Sequence, residues 1–206
     1  INTGSEGSII INKTITIDGQ GHTIDSKRTS RIFYITSGNV TFKNINFINV
    51  IASGDRGGAI YNGGNNLVVI NCTFNNIIAG KEGGAISSTD PVTVINSTFT
   101  NIESERAGGA IHSNDIVTVS GSTFNNITSL NGGGGAIYGL DVVTVINSTF
   151  NNTKSIGSAS GGAIYGLGVT VINSTFTNIE SIKNGGAIWS RVGNIIVSNS
   201  TFNNIT

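Results

Sequence analysis

Val92-Thr93-Val94-Ile95-Asn96-Ser97-Thr98-Phe99-Thr100-Asn101-Ile102, followed after a short charged loop by Gly108-Gly109-Ala110-Ile111, is the stretch that decides the fold. Its parts recur along the chain. Gly-Gly-Ala-Ile stands at 57–60, 83–86, 108–111, 134–137, 161–164 and 185–188, with starts 26, 25, 26, 27 and 24 residues apart. A near-constant period of this length marks one short structural unit used repeatedly.

Seven of the nine Phe fall into one column: Phe47, Phe74, Phe99, Phe124, Phe150, Phe176 and Phe202. Two residues after each comes Asn49, Asn76, Asn101, Asn126, Asn152, Asn178 or Asn204. Three residues before each comes Asn44, Asn71, Asn96, Asn147, Asn173 or Asn199, with Gly121 as the one break. Ile15-Thr16-Ile17 reads as an earlier, looser copy. Eight units result, with strands starting at Ile15, Val40, Leu67, Val92, Val117, Val143, Val169 and Ile195. We read residues 1–206 as a single domain, with divergent N-terminal coils in 1–50 and regular repeats in 51–206.

Val-Thr-Val and Ile-Thr-Ile alternate apolar and polar residues, which is a strand signal. The 29 Gly and the many Asn, Ser and Thr argue against helix, and no run has a 3.6-residue period. A unit of this size cannot bury its own apolar face, but stacked units cover one another. The predicted fold is therefore all-β: a right-handed parallel β-helix (solenoid) of about eight coils with a period of 24–27 residues. Strand spacing makes such a rod roughly 35–40 Å long. Leucine-rich repeats and propeller blades are excluded by the missing Leu frame and the short period.

Alternation assigns faces. Val92 and Val94 point inward and Thr93 outward, so Thr16, Thr41, Thr93, Thr118, Thr144 and Thr170 form an outer row. The Phe column stacks inside. By parity with Val94, Asn96 and its equivalents are expected at inward turns, as buried amide ladders, and Asn101 and its equivalents as a second ladder. With Ile60 inside, Ala59 and Tyr61 are expected outside. The position after Ile then forms an outer row of Tyr61, Ser87, His112, Tyr138, Tyr165 and Trp189, with Tyr34 as a further member, beside a flat Gly/Ala strip. Aromatic faces suit sugar rings, so Tyr61, His112, Tyr138, Tyr165 and Trp189 are the candidate binding stripe. Scattered surface aromatics under folded loops are the plainer alternative.

Eleven acidic and eleven basic residues cancel, and 11% of the chain is charged, so no basic footprint for nucleic acid exists. No apolar run reaches the ~18 residues of a membrane span. The single Cys72 replaces the Ser of other copies and reads as a small half-buried residue; with one Cys, no disulfide can form within the chain. His22 and His112 fall about four coils apart, so a shared metal site is not expected, nor is any cofactor. Glu103 and Glu105 are the one close acidic pair, without the setting of a glycosidase pair. Catalytic residues are not expected. Asn-x-Ser/Thr occurs ten times, mostly within the repeat frame. Asn12, Asn39 and Asn151 are the candidate glycosylation sites, the column copies being expected in buried ladders.

Gly-Gly-Ala-Ile with a downstream Phe-x-Asn resembles the polymorphic outer-membrane protein repeats of chlamydiae, whose units carry Gly-Gly-Ala and Phe-x-x-Asn. Here Asn follows Phe by two positions rather than three. The Val-Ile-Asn-Ser-Thr-Phe-x-Asn frame and the opening Thr14-Ile15-Thr16-Ile17-Asp18-Gly19-Gln20-Gly21 are similar to adhesin-like surface proteins of methanogenic archaea. Both resemblances imply right-handed β-helices on cell surfaces. Pectin-degrading enzymes resemble the fold too, but their catalytic Asp clusters are not recognisable here.

The expectation is a non-catalytic extracellular stalk or adhesin with a surface glycan or protein as ligand. The alternatives are a filament subunit self-associating end to end through open coil ends and, below that, a carbohydrate-active enzyme. The start at Ile1 rather than Met reads as a mature form or excised segment, and no capping helix is expected there.

Overall fold

Every described strand hydrogen-bonds to its counterpart one coil away, in parallel and in register. The computed structural model describes residues 7–206; the start at Ile1 lies outside them. Sheet A contains β1 (Ile9–Ile11), β4 (Phe33–Ile35), β7 (Ile60–Asn62), β10 (Ile86–Ser88), β13 (Ile111–Ser113), β16 (Ile137–Gly139), β19 (Ile164–Gly166) and β22 (Ile188–Ser190). Sheet B contains β2 (Ile15–Asp18), β5 (Val40–Lys43), β8 (Leu67–Ile70), β11 (Val92–Ile95), β14 (Val117–Ser120), β17 (Val142–Ile146), β20 (Gly168–Ile172) and β23 (Ile195–Ser198). Sheet C contains β3 (Thr23–Asp25), β6 (Asn46–Ala52), β9 (Thr73–Ala79), β12 (Thr98–Ser104), β15 (Thr123–Ser129), β18 (Thr149–Ser155), β21 (Thr175–Ser181) and β24 (Thr201–Ile205). The chain is thus an all-β parallel solenoid of eight coils, each visiting A, B and C in turn, as the period predicts.

The core is built of self-stacking columns. Phe74, Phe99, Phe124, Phe150 and Phe176 are fully buried, with ring centroids 4.7 Å apart and planes within a few degrees of parallel. That separation is the strand spacing. It exceeds the ~3.5 Å contact distance between carbon atoms, so near-parallel rings touch by slipping sideways into an offset stack, the favoured geometry. Val92, Val94 and Ile111 and their equivalents complete the interior. The Thr row points outward and half-exposed, as alternation predicts.

Alternation fails at the corners. Asn44, Asn71, Asn96, Asn147, Asn173 and Asn199 adopt positive φ (48–52°), and Gly121 fills the same place at 59°. Asn is among the few residues that tolerate this left-handed conformation. The kink turns its side chain outward. Asn71, Asn96, Asn147, Asn173 and Asn199 are therefore exposed, not buried as parity implied.

The next residue is the buried one. The Ser97 N–H donates to Ser122 Oγ, and Ser122 and Ser148 repeat the bond to the following coil, each at 3.1 Å. Each hydroxyl then donates back to the carbonyl two residues earlier. Cys72 starts this ladder and is fully buried rather than half-buried. Small hydroxyl residues also line the other corners: Ser88 and Ser113 between A and B, and Ser104, Ser129 and Ser155 between C and A, all buried.

The second Asn column also has positive φ and forms part of the expected ladder, on the surface, with Asn101 and Asn178 donating instead to Asn75 and Asn151 of the neighbouring column. Asn126 donates to Asn101 at 2.7 Å, Asn76 to Asn49 at 2.8 Å and Asn204 to Asn178 at 2.7 Å. All these amides donate toward the N-terminal coil, where Asn49 ends on Asp25 and Asn44 on Asp18. The bonds from Asn44 and from the Gln20 amide hold the Asp18 carboxyl below its usual value.

The Gly-Gly-Ala segment is also a corner. Gly108 has φ +70°, and a Cβ on Gly109 would collide with the Gly135 carbonyl oxygen of the next coil. Ala59, Ala85, Ala110, Ala136 and Ala163 have 0% exposure and belong to the core. The outward Gly/Ala strip is thus overturned: strand geometry begins only at the Ile, and the left-handed Gly before it breaks the two-residue count.

Three substitutions at two positions test this account by urea unfolding. Asn96→Gly is expected to change stability little, whereas Asn96→Val should lower it by about 1–2 kcal/mol, because a β-branched residue resists the left-handed corner. Thr153 stands between Ile127 and Ile179 in a buried column, and its hydroxyl has no partner. Thr153→Val should raise stability by about 1 kcal/mol by removing an unpaired buried polar group.

Candidate functional site

The outer face of sheet A carries the predicted stripe. Register places Tyr34, Tyr61, Ser87, His112, Tyr138, Tyr165 and Trp189 on successive strands, each beside the next. The structure thus brings Tyr61, His112, Tyr138, Tyr165 and Trp189 together on one face. They are half-buried except Tyr165, at 8% exposure.

Ser87 divides the row. On its N-terminal side, Tyr34 and Tyr61 lie 5.3 Å apart, tilted by 55°. On the other side, His112 stacks on Tyr138 at 5.4 Å and Tyr138 on Tyr165 at 4.3 Å, both pairs nearly parallel. Burial lowers the His112 pKa to about 4, with Glu82 opposing and Arg56 reinforcing the shift. The ring is half-buried by area, yet its Nδ1 is sealed from solvent without a hydrogen-bond partner. Burial beside Tyr165 pushes Tyr138 up to about 12. At neutral pH this half of the row is an uncharged ring surface.

Charged side chains gather around the other half. Arg56 and Glu82 precede Gly-Gly-Ala-Ile in successive coils, and that column position brings them together. Arg56 Nε lies 3.0 Å from Glu82 Oε2, and Arg106 Nη1 lies 3.2 Å from Glu82 Oε1. Burial raises the Glu82 carboxyl, but its own backbone amide and the two arginines outweigh this and leave it lowered. Arg31 is buried, with its guanidinium carbon 5.1 Å from the Tyr34 ring centre and 5.5 Å from that of Tyr61. It also reaches Asp55 at 3.7 Å and donates to the Arg56 carbonyl at 3.3 Å. Sequence reading left these ion pairs unassembled. The available signal was opposite charge at equivalent loop positions one period apart.

Asn12 and Asn39 are exposed at the corner between sheets A and B. Asn151, on the outer face of β18, donates its amide to Asn125 at 3.0 Å and accepts from Asn178 at 3.5 Å. The exposed corner Asn residues are as open as these three, so burial does not separate the two sets. His22 and His112 lie in coils four apart. Among the described residues no group of three His, Cys, Asp or Glu could hold a metal, and no helix is long and apolar enough to cross a membrane.

Three stretches match the Chlamydia polymorphic membrane protein repeat: residues 71–89, 121–140 and 173–191. Together they cover less than a third of the chain. Each runs from the Asn or Gly corner through a sheet C strand and the buried Gly-Gly-Ala turn into sheet A. The similarity therefore lies in the segment that turns the corner behind the stripe. No curated protein and no solved structure matches the chain.

His112 makes stability depend on pH. Its folded pKa lies below the unfolded value near 6.5, so the unfolded chain binds the extra proton between those values. The contribution is complete above pH 6.5 and is lost as pH falls toward 4. Urea midpoints should fall over this window, by an amount on the order of 3 kcal/mol in stability at 1.36 kcal/mol per unit. His112→Phe, which keeps a stacking ring and cannot titrate, should flatten that dependence.

Proposed function

We propose that this chain is a non-catalytic, adhesin-like surface rod that presents the outer row of sheet A to an extracellular ligand. The observation that carries this reading is the in-register row itself, a line of aromatic rings held at coil spacing on a repetitive scaffold. The repeat matches support a surface setting, since the repeat they resemble comes from chlamydial membrane proteins. The similarity of the wider frame and the Thr-Ile-Thr-Ile-Asp-Gly opening to adhesin-like proteins of methanogenic archaea supports the same reading.

The non-catalytic reading is supported by how the acidic groups are used. Glu82 pairs with two arginines, Glu180 with Lys154 at 3.0 Å, Asp18 and Asp25 end amide ladders, and Glu105 accepts from Asn131. A general acid or nucleophile must instead be free to face a substrate. His112 is held neutral in a ring stack, and although Ser87 is its register neighbour, its Nδ1 makes no hydrogen bond to that hydroxyl or to any other group. Sugar rings suit the row because their C–H faces pack on aromatic rings while their hydroxyls stay in water.

Binding to an array of immobilised microbial and host-surface glycans tests this. Tyr138→Ala combined with Trp189→Ala should lower binding at least tenfold while the urea midpoint of the fold is retained. Full retention of binding both in this variant and in Tyr61→Leu would refute the row as the contact. Release of new reducing ends from a bound polysaccharide would refute the non-catalytic part.

A further inference from the structure

The two halves of the row differ in charge, and the N-terminal half forms a cleft. Tyr34 and Tyr61 make its floor, and Arg31, Asp55, Arg56 and Lys81 rise around it, enclosing about 290 Å³. That is near the lower end of small-ligand pockets, enough for a saccharide unit and open on one side. Gly63 adjoins the floor; a Cβ there would come within 3.5 Å of the Tyr61 ring edge and 4.0 Å of that of Tyr34.

The cations have different duties. Arg31 is built into the wall, lying over both rings and reaching Asp55 and the Arg56 carbonyl. Arg56 is shared with Glu82 at its Nε. Lys81 lines the same cleft and has no ion pair among the described residues. Arg56, shared with Glu82, and Lys81, unpaired among the described residues, are the cations left at the rim of the cleft, in a chain whose formal net charge is zero. An apolar ring floor beside an uncommitted ammonium selects a molecule with a C–H face and an anionic substituent.

We infer that this cleft binds an anionic saccharide, with the sugar ring against Tyr61 and Tyr34 and its carboxylate or sulfate on Lys81 and the outer edge of Arg56. This rests on reading the outer row of sheet A as a binding face and gives one half of it a ligand class. Carboxylate and sulfate share the recognition chemistry, since each offers several acceptor oxygens to cationic donors. The ammonium is a compact, strongly hydrated charge at a partly open site, so binding should weaken with salt.

The test is calorimetric titration of the whole chain, at low salt, with three oligosaccharides of one backbone: neutral, carboxylated and sulfated. At least one anionic form should bind ten or more times tighter than the neutral form, and 0.5 M salt should remove most of that advantage. A preference for carboxylate over sulfate, or the reverse, identifies the source of the charge and supports the proposal either way. Lys81→Glu should abolish the advantage, and Lys81→Gln gives the same reading if the charge reversal disturbs folding. Tyr61→Leu should weaken all binding at the cleft, while Tyr138→Ala with Trp189→Ala should leave it intact. Equal binding of charged and neutral forms, or an anionic advantage that survives both Lys81 variants, overturns the cleft assignment. Saccharide binding lost only in the Tyr138/Trp189 variant likewise overturns it, yet upholds the row as a binding face. If no saccharide binds at all, the cleft proposal and the sugar-binding part of the broader reading both fail.

Discussion

Parallel hydrogen bonding between coils imposes one demand on every position: each side chain must be compatible with its own copy about one strand spacing away. Phe meets it by slipping into offset stacks, Ser by passing hydrogen bonds from coil to coil, Asn by chaining amides. Charge meets it only by alternation, and so Arg56, Glu82 and Arg106 fall in opposite signs along the rod. The composition follows from this demand. Residues that stack on themselves dominate, and charged residues sit in loops or on outer strand positions where neighbouring coils differ, as Lys154 of β18 faces Glu180 of β21.

The same spacing explains the three corners. A short coil has to turn sharply while keeping its backbone groups paired with adjacent coils, and few residues fit there. Asn supplies the left-handed kink at the corner between B and C, and Gly supplies it at the corner between C and A. A small hydroxyl just inside each corner bonds the polar backbone groups that a purely apolar corner would strand. The surface amide chains all donate in one direction, so the first coil needs acceptors with nothing further to donate. Asp18 and Asp25 occupy those places. A carboxylate ends such a chain better than an amide does, because both its oxygens accept.

The sheets and their register were legible because strand periodicity and the long repeat point the same way. The faces of the corner residues were misread, although the sequence contained the correction. Val94 and Phe99 are both inward and five residues apart, an odd number, so strict alternation must break between them. Phe99 and Ile102, three apart, require a second break. Each break falls on an Asn, at Asn96 and Asn101, the residue type best suited to positive φ. Placing Asn96 inward treated the kink as strand and hid the Ser97 ladder behind it. The Ala of Gly-Gly-Ala-Ile was misplaced by the same step. The stripe was legible because Tyr61 and its equivalents directly follow an inward Ile within true strand. The charged cleft was not, because Asp55-Arg56 and Lys81-Glu82 read singly as solvated loop charges, and only their alignment one period apart, with Arg31 a period earlier, brings them together.

Where the columns are uniform the rod is scaffold, and where a column changes its residue the surface acquires character. Ser87 is such a change. It interrupts the ring row and leaves a neutral stack on one side and a cation-rimmed pair of tyrosines on the other. A solenoid is well suited to this division, because stability is shared among coils and a loop or outer residue of one coil can vary with little effect on distant ones. Function then accumulates as local departures from the repeat on a fixed grid. The loops of the coils containing β4, β7 and β10 carry charges of both signs, and they surround the Tyr34–Tyr61 end of the outer row.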